Sequence, residues 1–168
     1  FETAAKKLDA AELRLPESWR HLRDAQATII RYEGARSLAD EYRRFAGALD
    51  PALRRRCEEG YATDARKYQE ALSYAARCRA AMSEAFGDCD VLIAPAATGE
   101  APKGLDSTGN VAMNVVWTLL HAPCVCVPIG TGPNGLPLGL QVIGRIGDDA
   151  RTLACARWIE ARLKETAP

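Results

Sequence analysis

Three residues of this sequence are candidate ligand contacts: Thr108, Asn114 and Trp117. Asn114 is a lone amide on an otherwise apolar segment, and a buried amide must find hydrogen-bond partners. It either bonds a neighbouring backbone group or faces a pocket. Trp117 either fills core or lines that pocket, and Thr108 either caps the segment that follows or adds a hydroxyl. Thr108 ends the loop Ala96–Thr108, about 13 residues long, a length that often carries function. The chemistry these types support is binding and orientation. His121 has no carboxylate or serine near it in sequence and reads as structural or exposed. Cys124 and Cys126 fall on one face of a strand, but a metal site needs two more ligands and only His121 is close. The sequence therefore gives no metal site and no cofactor.

The elements that must position these residues lie between Asp90 and Gly144, which holds most of the chain's prolines and glycines. Such residues mark turns. Between them stand three short β-branched runs, Val91–Ala94, Cys124–Val127 and Leu138–Ile143, read as strands. Val111–Leu120 is apolar nearly all round and reads as a buried helix closed by Pro123. Strand, crossover helix and strand predict a βαβ unit with parallel strands. Asn134–Gly135 predicts a hairpin into the third strand. The expected fold class is α/β, a helical N-terminal half packed on a small mixed sheet made of a βαβ unit plus a hairpin. The loop at the carboxyl end of the first strand is where open α/β sheets bind ligands.

Upstream, Ala11–Leu15 alternates and predicts a strand stopped by Pro16. Ser18 to about Phe45 shows helical spacing, with Gly34 as a candidate interruption. Asp50–Pro51 opens a helix ended by Gly60. Residues from about Asp64 to Phe86 form the clearest helical pattern, terminated by Gly87. Downstream, Asp148 or Asp149 caps a last helix, roughly Ala150 to Lys164. The whole reads as one domain over 1–168, with 1–89 mainly helical, 90–144 holding the sheet and pocket loop, and 145–168 the terminal helix.

A resemblance rests on Asp90–Pro95, Thr108–Gly109, Trp117–Leu120, Pro123, Pro128, Gly130 and Gly135–Gly144. In this order and spacing they resemble the C-terminal part of an amidase-signature hydrolase. The resemblance implies an enzyme that hydrolyses a carboxamide C–N bond to a carboxylate and ammonia or an amine. It implies a serine nucleophile, a second serine on a cis peptide bond and a lysine base. None of the five serines (18, 37, 73, 83 and 107) stands in a Gly-Ser-Ser-Gly setting. No lysine matches the family's catalytic position, so no catalytic residue is carried over. The chain reads as the C-terminal segment of such an amidase, inactive alone, and its not beginning with methionine agrees with an excised piece. His121 stands where the family usually has glycine.

Basic and acidic residues balance at 22 each, a net charge of zero. That announces no face for nucleic acid or an anionic membrane, and the resemblance implies a small-molecule amide substrate as the partner of the full-length enzyme. No apolar run approaches the ~18 residues a membrane span needs. Six scattered cysteines read as buried free thiols in a reducing, cytoplasmic setting. Strand edges cut from a larger sheet predict a homo-oligomer. Two rival readings stand beside the amidase: an A-subunit-like part of a glutamyl-tRNA amidotransferase, and a stand-alone non-catalytic interaction module.

Overall fold

Two aspartates start helices where the sequence places them. Asp50 Oδ1 accepts from the Ala52 and Leu53 amides at 2.8 and 3.3 Å, with Pro51 in the first turn. Asp64 Oδ1 accepts from the Arg66 amide at 2.8 Å. The computed structural model describes residues 1–165. In chain order it contains α1 (Glu2–Lys7), a 3-10 turn at Glu17–Trp19, α2 (Leu22–Ser37), α3 (Ala39–Phe45), α4 (Pro51–Tyr61), α5 (Ala65–Ala80) and α6 (Met82–Phe86). Then come β1 (Leu92–Pro95), a 3-10 turn at Val111–Met113, α7 (Val115–Leu119), β2 (Cys124–Thr131), β3 (Pro137–Ile143) and α8 (Asp149–Glu165). Two compact units result: Ser18–Cys78, and Phe1–Glu17 together with the chain from Arg79 onward.

In Ser18–Cys78, α2 packs along α4. Gly60 does not end α4 as expected; the helix runs on to Tyr61. Gly60 is buried, and a Cβ there would overlap the Arg31 carbonyl oxygen and stand 2.5 Å from the Ala35 methyl. Its role is close helix approach, not termination. The ring of Tyr32 stacks on Tyr68 with centroids 4.1 Å apart and planes within 9°. The Arg36 guanidinium lies 3.3 Å above Tyr32, and the Tyr68 hydroxyl donates to Glu33 at 2.8 Å.

Two long helices are broken. The segment expected to be helical from Ser18 to Phe45 divides at Leu38 (φ −98°, ψ 18°), and Gly34 stays inside α2. The Asp64–Phe86 pattern divides at Ala81 (φ −85°, ψ 3°) into α5 and α6. Gly87, at φ 52°, does terminate α6.

The other unit carries the sheet, in the order β1-β3-β2. The α/β class stands, but the pairing differs from the mixed sheet expected. β1 and β2 run in the same direction, as a strand–crossover–strand connection requires. However, β3 inserts between them and pairs antiparallel with both. The hairpin from β2 places β3 where a parallel pair was predicted, so no parallel ladder forms. At its turn the Gly135 amide donates to the Gly132 carbonyl at 3.0 Å, the Gly132 amide to the Leu136 carbonyl at 2.9 Å, and Gly135 sits at φ 78°. This is a three-residue hairpin loop whose last residue must be left-handed. Val127, Leu140 and Val142 form the core with Ala4 of α1 and with Ala156 and Ile159 of α8. No strand forms at Ala11–Leu15; alternation alone, with no partner strand pairing it, does not make one.

The expected helix Val111–Leu120 is likewise shorter than its apolar run. Asn110 caps only the 3-10 turn, accepting from the Ala112 amide at 2.8 Å, and Asn114 separates it from α7. The β-branched Val111, Val115 and Val116 favour helix weakly. At the far end of α7 the Ala122 amide donates to the Trp117 carbonyl at 3.0 Å and the His121 amide to that of Thr118 at 3.2 Å. These two bonds make a Schellman cap, whose residue after the helix is left-handed. That residue is His121, at φ 59°. No helix of the described residues is long and apolar enough to cross a membrane.

Gly60→Ala should lower the unfolding free energy by about 1–3 kcal/mol through overpacking. Gly34→Ala, with nothing within 4 Å of the new methyl, should raise it by about 0.5–1 kcal/mol. Urea midpoints of the two variants check both signs. His121→Gly should stabilise by roughly 1 kcal/mol, since a side chain in the left-handed region is strained; a rise in melting temperature is the measurement.

Candidate functional site

The loop after β1 has no regular structure, so it must be held by side chains. At its root Gln141, in the middle of β3 and only 3% exposed, donates from Nε2 to the Pro95 carbonyl at 3.0 Å and the Met113 carbonyl at 2.7 Å. One buried amide thus ties both ends of the loop to the central strand. Gln141 Oε1 is buried with no hydrogen-bond partner among the described residues. Asn114 Nδ2 donates to the Ala96 carbonyl at 3.2 Å, and the Ala96 amide extends the ladder to Gly139 at 2.9 Å.

Farther out, Glu100 holds the loop against the β2–β3 turn. Its carboxylate accepts from the Asn134 backbone amide at 3.0 and 3.2 Å, from Asn134 Nδ2 at 2.6 Å and from the Leu136 amide at 2.9 Å. Partial desolvation raises the Glu100 pKa, but the hydrogen bonds from Asn134 and Leu136 outweigh it, and the net shift is downward. These donors favour the charged form. Gly132 is matched to this contact, because a Cβ there would come within 2.5 Å of the Glu100 carboxyl. At the loop's end Gly109, at φ 96°, turns the chain beside Pro102.

The three sequence-predicted contacts do not converge. Thr108 is exposed and does not cap the helical segment; Asn110 does. Asn114 is exposed, with its amide on the loop's backbone. Trp117 is buried and lines an apolar groove of about 810 Å³ with Phe1, Leu13, Val91, Leu92 and Trp158. Neither Thr108 nor Asn114 lines that groove. The sequence reading missed Glu100 and Gln141 as the loop's anchors. Their signals were present: a carboxylate inside a long loop, and a polar residue within the run Leu138–Ile143.

The cysteines are free but not all buried as expected: Cys57 and Cys78 are, whereas Cys89, Cys124 and Cys126 are exposed, because β2 turns Cys124 and Cys126 to its open face. Partial desolvation raises the Cys124 and Cys155 thiols above their ordinary pKa, which leaves them protonated and poorly nucleophilic at neutral pH. Among the described residues no three His, Cys, Asp or Glu side chains gather where a metal could bind.

The family described as Amidase matches residues 8–153. The A subunit of the glutamyl-tRNA(Gln) amidotransferase of Desulforapulum autotrophicum is 30% identical over 161 residues, 83% of this chain and 33% of that protein. Its counterpart in Zymomonas mobilis subsp. mobilis is 33% identical over 162 residues, also 83% and 33%. The putative amidase AmiD of Mycobacterium tuberculosis (strain ATCC 25618 / H37Rv) is 31% identical over 127 residues, 70% and 27%. A solved amidase superposes with a TM-score of 0.77 at 25% identity, over 96% of this chain and 41% of that one. A structure from a vestigial complex tied to the origins of an s-triazine catabolic enzyme gives 0.81 at 25% identity, over 99% and 38%. The chain therefore spans about a third of the length of its curated relatives.

Glu100 titrates lower in the folded chain than its ordinary value of 4.5. Its contribution is therefore full above that pH and lost as pH falls through the folded value. Amide exchange at Asn134 and Leu136 should accelerate on acidification in the parent. In Glu100→Gln it should already be fast at neutral pH and change little with acid beyond the chemical rate.

Proposed function

Because this chain belongs to the amidase family, we propose that it supplies one wall of the amide-binding pocket of a longer hydrolase. That enzyme cleaves a carboxamide C–N bond to give a carboxylate and ammonia or an amine. The match over residues 8–153 carries this reading, and the solved amidase at a TM-score of 0.77 supports it. The nucleophilic serine, its partner serine and the lysine base belong to chain outside these 168 residues, since no serine here stands in the required glycine-rich setting. A neutral lysine takes the nucleophile's proton through the bridging hydroxyl, and backbone amides hold the oxyanion.

In this reading the 168 residues of the chain are one part of that amidase domain. Thr108, Asn114 and Trp117 face the amide substrate or order the loop that does. Asn114 acts by holding the loop's root through the Ala96 carbonyl, and Trp117 presents an apolar wall to the substrate's non-reacting part. All six cysteines are unpaired, which supports a cytoplasmic setting.

A second reading is favoured by the amidotransferase relatives at 30–33% identity: the longer protein passes ammonia to a partner protein. Against it, the departure at His121 and the Trp117–Thr118 pair look more like a stand-alone amidase.

The test expresses the chain alone and with the coding sequence that precedes Phe1, and measures ammonia release from simple carboxamides. The chain alone should release none and the extended protein should. In the extended protein Trp117→Ala should raise KM by about tenfold, the worth of roughly 1.4 kcal/mol. Amide hydrolysis by the isolated chain would sink the proposal. Co-purification of a stoichiometric partner protein with the extended protein would favour the second reading.

A further inference from the structure

A second cavity lies at the opposite strand ends from the loop, where the chain leaves β3 and where it enters β1. It encloses about 290 Å³ and is lined by Arg79, Met82, Ser83, Arg145, Gly147 and Asp148. Met82 forms a buried floor, and Ser83 and Gly147 an exposed rim.

The charges around it do not cancel. Several of the chain's arginines pair with an acid three or four residues away, as Arg44 does with Asp40, Arg54 with Glu58 and Arg66 with Glu70. Arg79 has no such acid: the residues at those spacings are Ala75, Ala76, Met82 and Ser83. Its Nε is buried and has no hydrogen-bond partner among the described residues. Arg145 donates from Nη2 to the Gly87 carbonyl at 2.8 Å and lies 5.0 Å from the Phe86 ring centre. Those contacts fix its position without neutralising it. The one carboxylate in the lining, Asp148, is engaged by Arg151 at 3.1 Å, and Arg151 also holds Asp90 at 2.9 Å. Arg79 and Arg145 thus line a small cavity whose only acid is already paired.

We propose that this cavity is a binding site for a small oxyanion, a phosphate or carboxylate group held between Arg79 and Arg145. A guanidinium presents parallel N–H donors that match two oxygens of such a group. The Arg79 side chain, whose Nε–H lacks an acceptor among the described residues, turns this group toward the bound anion, and the Ser83 hydroxyl supplies a further donor at the rim. The volume suits one phosphate or a short carboxylate and lies at the small end of ligand sites. The proposal rests on the cavity's own residues and does not depend on the reading of the amide pocket.

The experiment titrates the full chain with inorganic phosphate, and separately with acetate, at constant ionic strength set with chloride. Binding is followed by calorimetry and by the Arg79 Nε–H resonance. One-to-one saturation and a progressive shift of that resonance are expected. Arg79→Gln should weaken binding at least tenfold with an unchanged circular dichroism spectrum. Should Arg79→Gln fail to fold, Arg79→Lys keeps the charge but not the Nε–H, and should weaken binding at least threefold. Saturation by phosphate alone assigns a phosphorylated ligand; saturation by acetate as well assigns a carboxylate. No saturable binding of either anion, an unmoved Arg79 resonance, or unchanged affinity in a folded Arg79 variant would overturn the proposal.

Discussion

The unit that carries the candidate site depends on β3 having a strand on each side. Its residues pair with β1 along one edge and β2 along the other. Leu140, Val142 and Ile143 are fully buried as a result. A strand so placed cannot shift by one residue without turning Leu140 and Val142 out of the core and Gln141 into it. Register and loop position are therefore one constraint. The residue that anchors the loop, Gln141, sits between the two residues that fix the core.

The loop is then held twice, by different physics. Gln141 works at a buried root, where a lost donor leaves two carbonyls unsatisfied and is costly. Glu100 works at an exposed tip, where four hydrogen-bond contacts converge on a carboxylate that water still reaches. The root sets where the loop begins and ends. The tip selects among conformations of similar energy and is open to pH and salt. A loop held this way has a rigid base and an adjustable rim.

Much of this was legible in the sequence. Asp50, Asp64 and Gly87 bounded helices through local chemistry that needs no tertiary partner. Asn134–Gly135 gave the hairpin, and the spacing of Pro123, Pro128 and Gly135–Gly144 gave the family. What failed was set by distant contacts. Gly60 read as a stop because close approach of α2 is invisible from α4 alone. The parallel pair was lost because the strand after the hairpin takes the position between β1 and β2. Thr108, Asn114 and Trp117 stand out by residue type, which does not show what each one touches. The structure instead gives Asn114 to the loop root and Trp117 to an apolar groove. Glu100 was overlooked because its partners lie some 34 residues away.

The near-coplanar stack of Tyr32 on Tyr68 has a practical corollary. Two phenol chromophores at van der Waals separation couple electronically, so their near-ultraviolet circular dichroism carries a signature of the α2–α5 contact. All five tyrosines lie in Ser18–Cys78. The phenol signal therefore follows the melting of that unit in the untouched polypeptide, without attaching a dye.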